Sequence, residues 1–378
     1  MRRRWTVLVA VAAMVTTAGC GPLARHPVAA AGSAGPTGST GSTGSTGPTA
    51  STGPTGSTGS APPPTGAPGR LSVSGSRILQ PGGQPIVLRG YNWGQWGTAQ
   101  PQDAADNAAQ GANSVRLPLR WWGDWKNNVD SRDDAAPGHI DPAHLAQLDR
   151  TVGWATGRHL WVILFVDSNN GQGAGDAQDN FWTDPAMRQK FVEVWQFLVA
   201  RYAHTPYIGA FEILPEPQAP GVSDAQVRQF YDAIIPVLRR IDPRTPFVVG
   251  PNHSYDLRRL TAAHTTVDRN VIYTGDYFIF DQPLARLPDI TRFEQQFDAP
   301  VYINQVGIPS GKPDSEAKAR TVLAALNSAG VGWSWWTYRI DGSNPGEHGI
   351  YYTDPHDRNA WIVKPEWLAL VGSYLKPS

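Results

Sequence analysis

Apolar positions divide the chain into three parts. A short apolar run from Trp5 to Val15 follows the basic Arg2, Arg3 and Arg4, and residues 21–69 are low in complexity. From Arg70 onward, apolar runs of strand length alternate with longer stretches of helical periodicity. "LSVSGSRILQPGGQPIVLRG" predicts a small hairpin closed by "PGGQP", feeding a first strand near Ile86 to Tyr91. Further strands are predicted at Asn113 to Leu119, Leu160 to Asp167, Tyr207 to Leu214 and Pro246 to Gly250. The last three fall at Asn270 to Tyr277, Val301 to Gln305 and Val331 to Tyr338. Helical stretches separate them. Asp141 with Pro142, and Asp184 with Pro185, are N-cap and first-turn pairs, a third helix begins at Ser223, and a fourth ends at Gly330. "KPEWLALVGSYL" closes the series. Eight strand–helix units over residues 70–378 predict an α/β fold, a (β/α)₈ TIM barrel. A doubly wound open sheet is the alternative, but neither GxGxxG nor GxxxxGK[ST] occurs.

The N-terminal parts have another purpose. Residues 1–20, "MRRRWTVLVAVAAMVTTAGC", have the basic, apolar and small-residue regions of a signal peptide, and the apolar part is short for a membrane span. The ending "TAGC" resembles a lipobox, which makes Cys20 a candidate lipidation site; an incidental cysteine after an ordinary signal is the plainer reading. Residues 21–69 include "GPTGSTGSTGSTGPTASTGPTGSTGS", with glycine at every third position except Ala50. The run is short, interrupted and poor in proline for a collagen helix, so a disordered Gly/Ser/Thr/Pro linker is expected. The implied arrangement is an exported head, either secreted or held at the cell surface, whose membrane contact is confined to a lipid on Cys20. No disulfide is available, because Cys20 is the sole cysteine.

Charge narrows the function. Lys+Arg and Asp+Glu are both 32, which leaves no basic field for nucleic acid. The nine histidines form no HExxH, and the polar run Asp167 to Asn180 lacks EF-hand spacing, so neither a metal nor another cofactor is expected. Fifteen tryptophans suit apolar packing and also the flat faces of sugars; Trp93, Trp96, Trp121, Trp122 and Trp182 fall at strand ends or in loops.

In such a barrel chemistry sits where the strands end at their C-termini. There the pattern delivers Arg116, Asp167, Pro215 with Glu216, Asp276 with Tyr277, Gln305, and Trp335 with Trp336. The segments "LRGYNWG", "GANSVRLPLRWW", "FEILPEP", "NVIYTGDYF", "PVYINQVG" and "GWSWWTY" together resemble the strand signatures of glycoside hydrolase family 5, the cellulase-type barrels of clan A. The similarity covers nearly all of Leu71 to Leu375. It implies a retaining β-glycosidase plan acting on a glucan- or mannan-like polysaccharide or oligosaccharide, in a monomer. By that resemblance Glu216 is the acid/base, and Arg116, Tyr277 and Trp336 match substrate-binding positions. Pro215 replaces an asparagine, Asp167 and Asp276 replace histidines, and Gln305 stands where the nucleophile glutamate is expected.

A carboxamide is a poor nucleophile, so the usual double displacement is expected to be impaired. It does offer a donor and an acceptor for a hydroxyl. Three readings follow: an inverting hydrolase with Glu216 as acid and Asp276 or Asp167 as base, a pseudo-hydrolase that binds glycan, and a substrate-assisted hydrolase of N-acetylated glycans. Trp93, Trp335 and Trp336 are candidate sugar platforms. For Arg116 and Asp167, ion pairing at the barrel mouth is the structural alternative.

Overall fold

The computed structural model describes residues 69–93, 99–120, 142–167, 181–183, 185–217, 221–253, 256–279, 283–340, 342–357 and 359–376. The expected signal peptide, Cys20 and almost all of the expected linker lie outside the described residues, as do Trp96, Trp121 and Trp122.

A short antiparallel hairpin comes first, β1 (Ser72–Ser74) and β2 (Arg77–Leu79). It turns at Gly75 (φ 58°) and Ser76. This differs from the expected closure at "PGGQP", which instead forms a second turn, with Gln80 N–H donating to the Gln84 carbonyl and a single bridge from Leu79 to Pro85. The first barrel strand therefore starts later, as β3 (Arg89–Asn92).

Seven more parallel strands follow: β4 (Ser114–Arg120), β5 (Trp161–Asp167), β6 (Ile208–Glu212), β7 (Phe247–Val249), β8 (Val271–Phe278), β9 (Val301–Gly307) and β10 (Gly332–Trp335). They close in sequence order, with β10 pairing to β3, so the expected barrel is formed. The helices are α1 (Pro101–Gln110), α2 (Pro142–Thr156), α3 (Pro185–Tyr202), α4 (Asp224–Arg239), α5 (Leu287–Phe297), α6 (Ser315–Ala329) and α7 (Pro365–Gly372). Two of these, α1 and α5, are additional to the helices that the sequence pattern predicts. Helix α1 is rich in Asp, Asn and Gln and shows little apolar stripe; a capping box between Gln100 and Asp103 starts it. Between β7 and β8 stand two 3₁₀ turns, Leu257–Arg259 and Ala262–His264.

The predicted strand Val331 to Tyr338 ends early, at Trp335. The chain then joins a separate three-stranded sheet of β11 (Arg339–Ile340), β12 (Tyr351–Thr353) and β13 (Trp361–Val363). Arg339 ties this sheet back to the start of the barrel. Its Nε donates to Asp103 Oδ2 of α1 at 2.8 Å, and its guanidinium lies 4.6 Å from the Tyr351 ring centroid.

Two apolar layers surround the strands. The outward residues pack under the helices, among them Val115, Val162, Phe211, Val249, Tyr273, Ile303 and Trp333. The hairpin closes the other layer: Leu71 and Ile78 meet Leu88, Trp161, Ile163, Ala210, Val248, Ile272 and Tyr302 inside the barrel. This apolar plug leaves the interior toward the strands' C-terminal ends for polar residues.

Candidate functional site

Along several strands the inward positions turn from apolar to polar as the chain climbs. On β8 they run Ile272, Thr274, Asp276; on β6, Ala210 then Glu212; on β9, Tyr302 then Asn304. A charge inside such a barrel needs a partner. Arg116 and Glu212 supply it to each other: Arg116 Nε donates to Glu212 Oε2 at 2.6 Å and Nη2 to Oε1 at 2.7 Å, and neither side chain is exposed. Arg116 Nη1 also donates to Asn92 Oδ1 at 2.9 Å, and its guanidinium lies 3.6 Å from the Phe165 ring centroid. Burial alone would lower the Arg116 pKa; the Glu212 charge and hydrogen bonds, with a smaller contribution from Asp276, outweigh it and leave the pKa raised.

Next to this pair, β9 contains one extra residue. Tyr302 to Gln305 on β9 spans the same ladder as Thr274 to Asp276 on β8, and Ile303 to Val306 matches Trp333 to Trp335 on β10. The bulge is held by Thr274, whose Oγ1 donates to the Tyr302 carbonyl at 2.6 Å and accepts from Asn304 N–H at 3.2 Å. A bulge re-aims the side chains beside it. Consecutive residues here both serve the interior. Asn304 Nδ2 donates to Glu212 Oε1 at 2.8 Å, and Gln305 Nε2 donates to Glu216 Oε1.

Glu216 sits beyond the end of β6, between Pro215 and Pro217, in a left-handed conformation (φ 44°). An L-residue in that region is strained, and such strain is concentrated where surrounding contacts impose it. The loop is held on both sides. Tyr231 of α4 donates from its hydroxyl to the Gly250 carbonyl at 3.1 Å and lies 3.3 Å from the Leu214 carbonyl, and His253 N–H donates to the Pro217 carbonyl at 2.9 Å. Glu216 is half-buried and Gln305 is buried. Asp276 is paired with Gln305 across the β8–β9 ladder and is 1 % exposed.

The structure thus brings Glu216, Gln305 and Asp276 to one end of the barrel. Trp336 is half-buried beside them: its carbonyl would stand 2.7 Å from a Cβ on Gly307, two residues after Gln305. The peptide between Trp336 and Thr337 is cis.

Other expected sugar contacts are corrected by packing. Trp335 is fully buried, 5.7 Å from Trp367 of α7 between ring centroids. Tyr277 faces the helical layer and donates from its hydroxyl to the Pro283 carbonyl at 2.7 Å. Trp93 is 1 % exposed and donates from Nε1 to Asn107 Oδ1 at 2.8 Å. Arg116, with no exposed surface, is an internal strut. Asp167 is the last residue of β5, in register with Arg120; its side chain lies outside the described residues.

Sequence reasoning passed over Glu212, Asn304 and Asn92. A signal existed for the first: one carboxylate within the apolar "YIGAFEIL" and one guanidinium within "NSVRLPL" imply a buried pair. It also passed over His348, whose Cδ2 would stand 3.2 Å from a Cβ on Gly307 and whose ring lies 5.5 Å from that of Phe278 between centroids. Burial lowers the His348 pKa, against an opposing contribution from Glu347. Among the described residues no cluster of three or more His, Cys, Asp or Glu is placed to hold a metal ion.

Fold and barrel mouth together define a (β/α)₈ protein of the glycoside-hydrolase kind. A sequence model of the cellulase family, glycosyl hydrolase family 5, matches residues 79–342, and the chain belongs to that family. It is 32% identical over 160 residues to "Probable glucan 1,3-beta-glucosidase A" of Aspergillus fumigatus, covering 40% of this chain and 36% of that protein. A "Beta-xylosidase" of Phanerodontia chrysosporium is 22% identical over 273 residues, 60% of this chain and 56% of the other. The chain therefore spans well under two thirds of the length of these relatives. Among solved structures, the cellulose synthase subunit Z of Clostridioides difficile superposes with a TM-score of 0.61 at 16% identity, covering 76% of this chain and 99% of that one. At that identity the likeness concerns the fold.

Breaking the Arg116–Glu212 pair from one side is expected to be costly. Glu212→Leu should lose about 3–5 kcal/mol in chemical denaturation, because a buried guanidinium is left uncompensated. The double change Arg116→Met with Glu212→Leu should recover most of that loss; no recovery would mean that the pair is not coupled.

Proposed function

We propose that this protein is an exported, surface-tethered barrel that holds a β-linked, glucan- or mannan-like glycan across its mouth, with Glu216 in the acid/base position and no retaining nucleophile. The observation that carries this reading is the direct hydrogen bond from the Gln305 amide to the Glu216 carboxylate. Retaining hydrolysis requires two carboxyl groups about 5–5.5 Å apart, one to attack the anomeric carbon and one to pass the proton. Here the residue facing Glu216 is neutral, and its nitrogen already occupies a carboxylate oxygen. The pair presents a donor, an acceptor and a charge to sugar hydroxyls, and the half-buried Trp336 supplies a flat apolar face. The names of the relatives, a glucan glucosidase and a xylosidase, support a β-glycan as the ligand class.

A second reading has one observation behind it. Asp276 lies beside Gln305 across the ladder, so a single displacement could use Glu216 as acid and Asp276 as the base for water. Export and tethering rest on the signal-like residues 1–20, Cys20 and the low-complexity linker at 21–69. Cys20→Ser should release the protein from the membrane fraction; unchanged retention would remove the lipid anchor from the proposal.

Reducing-end release over β-glucans, mannans and N-acetylated glycans tests the main reading. The native protein should release none, whereas Gln305→Glu should gain turnover that disappears when Glu216→Gln is added. Trp336→Ala should weaken glycan binding about tenfold, which is about 1.4 kcal/mol, while Glu216→Gln keeps most of it. Native turnover with inversion at the anomeric carbon, abolished in Asp276→Asn, would establish the second reading instead. Native turnover with retention would defeat both.

A further inference from the structure

Beside the mouth lies a cavity of about 620 Å³, lined by Phe278, Ile279, Ile308, Pro309, Pro313 and His348, with Lys312 and Lys318 also facing it. We propose that this cavity is an aglycone site, taking an alkyl or aryl group attached to the reducing end of the bound glycan. The inference rests on the β-glycan reading above and names the substrate class more narrowly: an amphiphilic β-glycoside.

Position is the first argument. Phe278 ends β8 and pairs with Gly307 on β9, and Ile279 N–H donates to the Gly307 carbonyl at 2.9 Å. Gly307 is two residues beyond Gln305, and a Cβ there would meet the Trp336 carbonyl at 2.7 Å and His348 Cδ2 at 3.2 Å. The missing side chain lets both residues close over the strand. His348, which lines the cavity, is thus shared with the strand end that carries Gln305, and packs edge-on against Phe278 at 74°.

Lining chemistry is the second. A sugar brings hydroxyls on nearly every carbon, and each needs a partner when it leaves water. Side chains of Phe, Ile and Pro provide none, so the group that fits is apolar. Ile279 and Ile308 are each 3 % exposed and form the floor, while Lys312 and Pro313 are exposed at the rim and Lys318 is half-buried. The Lys312 stem can extend an apolar wall while its ammonium group stays in water. Among the described residues no Asp or Glu lines the cavity. The Lys312 charge at the rim therefore suits neutral or anionic aglycones and disfavours cationic ones. The volume falls within the roughly 300–1,000 Å³ of small-molecule sites.

Calorimetric titration of the purified protein with cellotriose and laminaritriose, each as the free sugar and as its octyl β-glycoside below its micelle concentration, tests the inference. The octyl form of the bound trisaccharide should bind at least tenfold more tightly, since each buried methylene adds to the apolar transfer. Phe278→Ser and Pro313→Asp should each cut that gain to less than threefold and leave the free-sugar affinity within twofold; Pro313 is exposed, so its replacement does not put the core at risk. Equal affinity for the free and octyl forms would overturn the inference and leave the glycan reading standing. A gain that survives in both variants would also overturn it. Octyl-glycoside binding that the variants abolish, with no free-sugar binding, would support the cavity and count against the glycan reading. No binding of any of the four probes would overturn the inference and remove the glucan half of the glycan reading.

Discussion

The pairing of Arg116 with Glu212 is the constraint around which the mouth of this barrel is arranged. Two charges with no exposed surface face each other across the barrel interior, and each must be satisfied by neighbours rather than water. Asn92 takes one guanidinium donor, Asn304 gives its amide to the carboxylate, and Phe165 lies under the guanidinium plane. These contacts join β3, β4, β5, β6 and β9, so five of the eight strands are fixed relative to one polar pair. Below it the hairpin plug keeps water out. Above it the functional groups stand on a rigid floor.

The bulge in β9 follows from that arrangement. Asn304 is committed to Glu212, and a regular strand would then send residue 305 outward. One extra residue, held at Thr274, allows the next side chain to turn inward as well and reach Glu216. The strained backbone of Glu216 meets it from the other side. An amide and a carboxylate are thereby brought into contact where a retaining glycosidase separates two carboxyl groups. Such a geometry offers hydrogen-bond partners to a hydroxyl and supports a double displacement poorly.

Much of this was legible in the sequence, for a physical reason. Buried parallel strands are continuous apolar runs, and six of the eight predicted barrel strands match the observed ones to within two residues at either end, the first and the last to within three. Residues that end those runs, such as Glu216, Asp276 and Gln305, were recognisable because polarity begins where the strands stop. The same continuity hid which way each side chain points. Trp335 and Trp336 are neighbours in "GWSWWTY", yet one packs on Trp367 and the other stands at the mouth. Tyr277 was misread for the same reason, since alternation cannot be phased when both faces are apolar. A bulge leaves no compositional mark, and His348 arrives from a loop after the last barrel strand, so neither could be placed from the sequence. The polar helix α1 escaped notice because its stability depends on a capping box and on Arg339 more than on an apolar stripe.

The role of residue 305 is best tested with an activated 2-deoxy-2-fluoro β-glycoside, which traps the covalent glycosyl-enzyme of a retaining site, read by intact mass and peptide mapping. The native protein should remain unlabelled, and Gln305→Glu should gain one glycosyl unit on residue 305. A stable adduct on any carboxylate of the native protein would contradict this, because it would mean that a nucleophile operates in the mouth without residue 305.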